Sequence, residues 1–223
     1  MLRGAALVAR KDLRVEVRSR VALNQIAPFA VLVLVLFAFA LDPDRGILTR
    51  AAAGLFWLAV AFSALLAVQR SFAVEAADGA RDGLRMSGLD PASVFLGKAG
   101  AVAAQLLALE VLLTIGIVVL YDADLRRAGV LALTCVLATV GLAAAGCLYG
   151  VLSAGARVRE TLLPLLLVPV IAPVVLAATR AWEGALLDDA TTASAPWLRL
   201  LLAFAAIYVA VGTILFGPLM EDA

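Results

Sequence analysis

The chain contains no histidine. That removes the usual proton shuttle near neutral pH, the commonest neutral metal ligand and the common axial haem ligand. No zinc site, haem-ligand set or catalytic triad remains to be argued. Cysteine is almost as scarce. Cys135 and Cys147 lie twelve residues apart in one apolar segment. Along a helix that is ~18 Å at ~1.5 Å per residue, and a disulfide needs Cα atoms ~4.4–6.8 Å apart. They cannot pair within one helix and read as small apolar residues. There is no GxxxxGK[ST] phosphate loop, so the chain cannot supply its own P-loop ATPase. Charge is thin: 16% of 223 residues, with a net charge of +1, against ~25% charged residues in an ordinary globular domain. Nothing in that balance points to nucleic acid.

What fills the space is apolar. Hydrophobic residues make up 64% of the chain and mean hydropathy is +1.05, where a soluble domain has ~45–50% apolar residues. Lipid must solvate part of this surface. A bilayer core needs ~20 mostly apolar residues per helix, and six segments qualify: Val21–Leu41, Ala51–Val68, Ala99–Leu120, Val130–Leu152, Thr161–Thr179 and Leu198–Leu219. The predicted fold is an all-α integral membrane protein with six transmembrane helices in a single membrane domain over residues 1–223. The first apolar segment is not read as a cleavable signal peptide. It is long, twenty polar-rich residues precede it, and no A-x-A-like site follows.

The basic residues give a direction. Arg3, Arg10, Lys11, Arg14, Arg18, Arg20, Arg70, Arg81, Arg85, Lys98, Arg157 and Arg159 would lie on one side, twelve in all. Arg45, Arg50, Arg126, Arg127, Arg180 and Arg199 make six on the other. The positive-inside bias then puts both termini in the cytoplasm. The first twenty residues are patterned. Leu2, Ala6, Ala9, Leu13 and Val17 recur at helical spacing, and Arg10, Arg14 and Arg18 mark a second face. This reads as an amphipathic helix at the cytoplasmic interface; a solvated basic tail that only sets topology is the alternative.

Three local features stand out. The loop Gln69–Lys98 mixes acids, bases and apolar residues. Asp78-Gly79 and Asp82-Gly83 look like turns, and Asp90-Pro91 like a capped helix start. A short helix near Gly79–Ser87 would present Leu84 and Met86 beside Arg81 and Arg85, as anchors for a cytoplasmic partner. An ordinary connector is the alternative. In LLVPVIAPVVL, Pro169 and Pro173 leave the carbonyls of Leu165 and Pro169 without a backbone donor. The segment is expected to bend there and to turn its broken face into the protein, as a fixed kink or as a hinge. Glu110, with Gln105 before it, lies in the third span. A carboxylate there costs at least ~2.5 kcal/mol and should face the bundle interior, in a structural hydrogen bond or a functional cavity. Gly146 and Gly150 form a small-residue stripe for close helix packing or a subunit contact.

Phe72, Glu75, Asp78-Gly79, Leu84, Asp90-Pro91 and Lys98 follow the spacing of the loop in ABC-2-type export permeases, where an E…DG…L…P…K pattern leads into the third span. More narrowly, the chain resembles the CcmB family, the haem exporter permease of cytochrome c maturation. ARKDLRVEVRSRVALN resembles that family's basic opening segment. VLVLVLFAFALDPD is similar to its VVLFPFALGP-like exit from span one, without the proline. VPVIAPVVL resembles its LPLYIPVLIF segment, and the preceding GARVRETLLPLLL its basic LRRG turn. Glu110 has no matching acid in the family pattern.

The resemblance implies an ABC-2-type permease-like fold and a non-enzymatic subunit. A separate cytoplasmic ABC ATPase would dock on the loop through the residues just named. A haem-handling membrane subunit with a small helper would be the other partner. ATP hydrolysis would be linked to haem delivery or to release of a haem-loaded chaperone. No cofactor would bind directly: ATP acts through the partner and haem is handled by partners. The place would be a bacterial inner membrane, with lipid all round and a homodimer left open. The alternatives are an ABC-2-type exporter of lipid, drug or polysaccharide, and a secondary transporter or scaffold without an ATPase.

Overall fold

The computed structural model describes residues 1–20, 22–41, 45–77, 88–154, 159–186 and 194–222. Among these the regular structure is entirely helical: α1 (Leu2–Ser19), a turn of π-helix (Ala22–Ile26), α2 (Ala27–Ala40), α3 (Arg45–Ala77), α4 (Pro91–Tyr121), α5 (Ala128–Ala154), α6 (Arg159–Leu186) and α7 (Ser194–Asp222). Five helices are long and apolar enough to cross a membrane. A sixth candidate passes the same test only as a pair: Leu2–Ser19 and Asn24–Ala40 meet at 56°. The break has a local cause. Arg20 takes the left-handed conformation at φ 55°, its N–H donating to the Glu16 carbonyl at 2.9 Å. The Ala22 N–H then donates to Glu16 Oε1 at 2.6 Å.

The helices overrun the apolar segments that announce them. α3 has 33 residues and α4 has 31, about 50 and 46 Å at ~1.5 Å per residue, against ~30 Å of hydrocarbon. The loop drawn from Gln69 to Lys98 is therefore shorter than expected. Residues 69–77 belong to α3 and residues 91–98 to α4. The proposed helix near Gly79–Ser87 lies outside the described residues. The helix start at Asp90-Pro91 is present: Asp90 caps α4, accepting the Ala92 N–H at 3.3 Å, with Pro91 in the first turn.

α5 runs through the middle and touches α3, α4, α6 and α7. Its centre is slender and wholly buried, from Leu142 through Ala143, Ala144 and Ala145 to Cys147. Small side chains let four neighbours approach one axis. Both free cysteines are buried here. The chain's two ends lie at one end of the bundle: Ser93 Oγ donates to the Met1 carbonyl at 3.1 Å, and Gly217 sits against Pro91. The other end holds Tyr121 and a packed aromatic group. Phe56 stacks on Trp182 at 4.0 Å between ring centroids, and Trp57 meets Trp182 edge-on at 5.8 Å.

Candidate functional site

The first site is built at the α1 end, where four helices converge on Lys98. Lys98 opens the apolar run of α4, so its ammonium is carried inward as the helix packs; its side chain is only 1% exposed. Asp12 of α1 lies 3.4 Å away, and the Phe72 ring of α3 lies under the Nζ at 4.8 Å from its centroid. A buried ammonium needs such a carboxylate, and a ring face adds to its stabilisation. Phe72 in turn fills the hole at Gly150 of α5, as Val68 fills the one at Gly146. The two glycines thus seat two side chains of α3, one helical turn apart.

α1 is held by close approach. A Cβ at Gly97 would come within 2.6 Å of Val8 Cβ and 2.7 Å of the Ala5 carbonyl oxygen. Gly4 faces Ser93 in the same way at 3.1 Å. The helix therefore has three faces. Gly4, Ala5, Val8 and Asp12 meet α4, the basic stripe of Arg10, Arg14 and Arg18 stays exposed, and the apolar stripe is exposed at Leu2, Ala6 and Val17 but half-buried at Ala9 and Leu13. Sequence periodicity found the basic stripe and an apolar one that is exposed only in part. It missed the docking face, whose signals are modest: a glycine facing small residues, and one aspartate in a basic run.

Phe72 and Lys98 were expected on an outer loop surface. They are instead in helices and buried, so they tie the helix ends together. Glu75 lies on the last turn of α3. Asp78, Gly79 and Leu84 lie outside the described residues. Beside the cluster a small cavity of about 130 Å³ is lined by Asp12, Glu16, Arg70 and Gln105. Arg70 Nε and Gln105 Nε2 are buried there without a hydrogen-bond partner among the described residues.

The second site is at mid-span. Glu110 is eleven residues from Tyr121, about 16 Å at ~1.5 Å per residue, and is 2% exposed. Thr139 Oγ1 of α5 donates to its Oε1, so the acid does face the bundle interior. Its Oε2 is buried without a partner among the described residues. Glu110 also lines a cavity of about 360 Å³ with Thr114, Cys135 and Trp182.

The facing of the α6 prolines departs from expectation. The helix runs through Pro164, Pro169 and Pro173 as one element, and its broken face looks outward: Leu165 is 68% exposed and Pro169 is exposed. Inward positions are already taken by Leu163, Leu167, Ile171 and Val174, so the proline side is the one left over. Tyr208 Oη of α7 donates to the Val170 carbonyl at 2.8 Å, which pins the stretch between the two prolines.

A model of the family described as CcmB protein matches residues 4–220. The chain belongs to the CcmB family. A Heme exporter protein B of Haemophilus influenzae is 31% identical over 180 residues, covering 80% of each chain. That of Escherichia coli K12 is 32% identical over 91 residues, 41% of each. The family match runs over nearly all of α1 as well as the five membrane-length helices, so the docked N-terminal helix lies within the matched region.

Proposed function

We propose that this CcmB-family chain is the membrane permease subunit of an ABC-type complex in cytochrome c maturation. It passes force from a partner ATPase to the step that delivers haem or releases a haem-loaded chaperone. The family match over residues 4–220 carries this reading, and the lack of a phosphate loop supports a separate ATPase. The relatives' name, heme exporter, supports haem as the cargo of the complex. With no histidine to ligate iron, haem contact falls to partners. The chain itself binds no cofactor in this reading.

The twelve-to-six bias of basic residues supports a cytoplasmic α1 end. The ATPase then docks on the connection between α3 and α4, using Asp78, Gly79 and Leu84 with Glu75 and Asp90 at its edges. Phe72 and Lys98 carry the push inward, because the cluster they form joins that connection to α1 and α5. The outward proline face of α6 suits a protein neighbour, since lipid cannot answer free carbonyls; the haem-handling subunit or a second copy would fill it.

The test is genetic. Deleting the gene should abolish covalent haem attachment to c-type cytochromes, and the intact gene should restore it. Restoration with Glu75→Ala and Asp78→Ala together should fail while the protein still accumulates. Normal attachment in the deletion strain would end the haem reading in favour of an ABC-2-type exporter with other cargo. Full restoration by the variant would remove the docking role of those acids.

A further inference from the structure

Charge is sorted along α1. Both of its acids are engaged: Asp12 meets Lys98 at 3.4 Å and Lys11 at 3.0 Å, and Glu16 Oε1 accepts the Ala22 N–H. Arg3, Arg10, Arg14 and Arg18 are exposed and make no ion pair among the described residues. At the Tyr121 end the arginines are differently placed. Arg126 pairs with Asp124 at 2.6 Å and Arg180 with Glu183 at 2.8 Å, and Arg127 Nη1 donates to the Gly184 carbonyl. A row of guanidinium groups without carboxylates therefore marks α1.

The row has a direction. At ~3.6 residues per turn, Arg10 lies about 160° round α1 from Val8, Arg3 about 140° and Arg14 about 120°. Val8 is buried against Gly97 of α4, so these three lie on the side turned away from the bundle. Arg10, Arg14 and Arg18 follow one another at about 6 Å along the axis. The chain also fixes their level. Arg20 is the last charge before the uncharged run 21–41, as a hydrocarbon core demands. α1 thus lies at the edge of that core, where lipid phosphates are. Leu2 is 83% exposed and Val17 77%. A soluble acidic partner would leave both in water, whereas a bilayer edge takes apolar and basic side chains together. A second copy of α1 would bring like charges together. We propose that the arginine row of α1 binds the headgroups of anionic phospholipids in the surrounding leaflet. Each guanidinium takes phosphate oxygens through its forked N–H groups, and Leu2 and Val17 rest on the acyl edge. The site belongs to the chain itself and rests on no part of the haem reading.

Native mass spectrometry of the purified full-length chain tests this, with equal amounts of dioleoyl phosphatidylglycerol and dioleoyl phosphatidylcholine added. Retained phosphatidylglycerol should exceed retained phosphatidylcholine by about fivefold, the effect of one basic residue at an anionic surface. Arg10→Gln, Arg14→Gln and Arg18→Gln together should bring the two lipids to equal retention, with the unfolding midpoint unchanged because all three side chains are exposed. Arg50→Gln, Arg126→Gln and Arg199→Gln together remove the same charge from the other end and should leave the preference intact. Equal retention of the two lipids by the unaltered chain overturns the proposal. So does a preference that survives the α1 triple variant, or one lost equally in the variant of the other end. An α1 triple variant that keeps its lipid preference but no longer co-purifies with the ATPase assigns the row to an acidic protein surface instead.

Discussion

At the Tyr121 end, aromatic rings fill the space between α3 and α6, and side chains tie helix to helix through backbone carbonyls. Tyr121 Oη donates to Leu34, Thr49 Oγ1 to Tyr121 and Trp182 Nε1 to Leu131. At the α1 end the same helices meet through glycines and one buried lysine–aspartate pair; two cavities lie beside that end, and one of about 360 Å³ reaches from Glu110 to Trp182 at the other. Close-packed interiors transmit displacement and resist it; spaces beside glycine contacts accept it. The coupling proposed above needs both, a seized end to turn about and an end that can be moved. Breaking the two ends separately should therefore give different failures.

Trp182→Ala should be the most damaging change to stability. It removes the stack on Phe56 and the bond to Leu131 together, at a cost of about 3–5 kcal/mol. The midpoint of thermal unfolding in detergent should fall by many degrees, and haem attachment should fall only as the amount of folded protein does. An unchanged midpoint would mean that this end is not what holds the bundle.

Asp12→Ala strikes the other end. It leaves the Lys98 ammonium buried without its carboxylate, which costs about 3 kcal/mol. Adding Lys98→Met should recover most of the midpoint, since an apolar chain of similar length suits the hole. If the double variant is no more stable than Asp12→Ala alone, the damage does not come from the stranded charge. A cycle over the two sites isolates that coupling.

Gly97→Val should cost less stability, about 1–3 kcal/mol from overpacking, yet more function per unit of stability. The added carbons meet the Ala5 carbonyl as well as Val8, so α1 must lift off α4. Cysteines at Gly4 and Ser93 should cross-link in the unaltered background and lose that reaction with Gly97→Val. Retained cross-linking would mean that α4 yields and α1 stays.

Sequence made the spans legible because lipid demands long apolar helices: five of the six segments needed only extension at their ends, while the first, Val21–Leu41, is a π-turn and a short helix that reaches membrane length only with α1, across a 56° bend. The start of α4 was legible for a local reason, an aspartate cap and a proline at fixed positions. Glu110 was found by its cost, as the one acid in an apolar run. What stayed hidden was set by neighbours. Nothing local to Lys98 tells that Asp12, 86 residues earlier, comes to meet it. Nothing in an α1 pattern with two obvious stripes marks the third as the one that docks. The prolines misled for the opposite reason. Local chemistry says which carbonyls a proline leaves without a backbone donor, but which side of α6 faces in was decided by Leu163, Leu167, Ile171 and Val174.

That outward proline face gives the smallest effect on the isolated chain. Replacing Pro169 and Pro173 by alanine supplies donors to the carbonyls of Leu165 and Pro169, and two added backbone hydrogen bonds are worth about 1 kcal/mol each. The purified double variant should melt slightly higher than the unaltered chain. Assembly should move the other way. A partner span that bonds to those carbonyls in the complex loses them to the new amides, so co-purification of the membrane partner should weaken while ATPase co-purification stays. If both partners are retained and haem attachment is normal, the prolines serve only to shape α6 against Tyr208, and the outer face of α6 belongs to lipid.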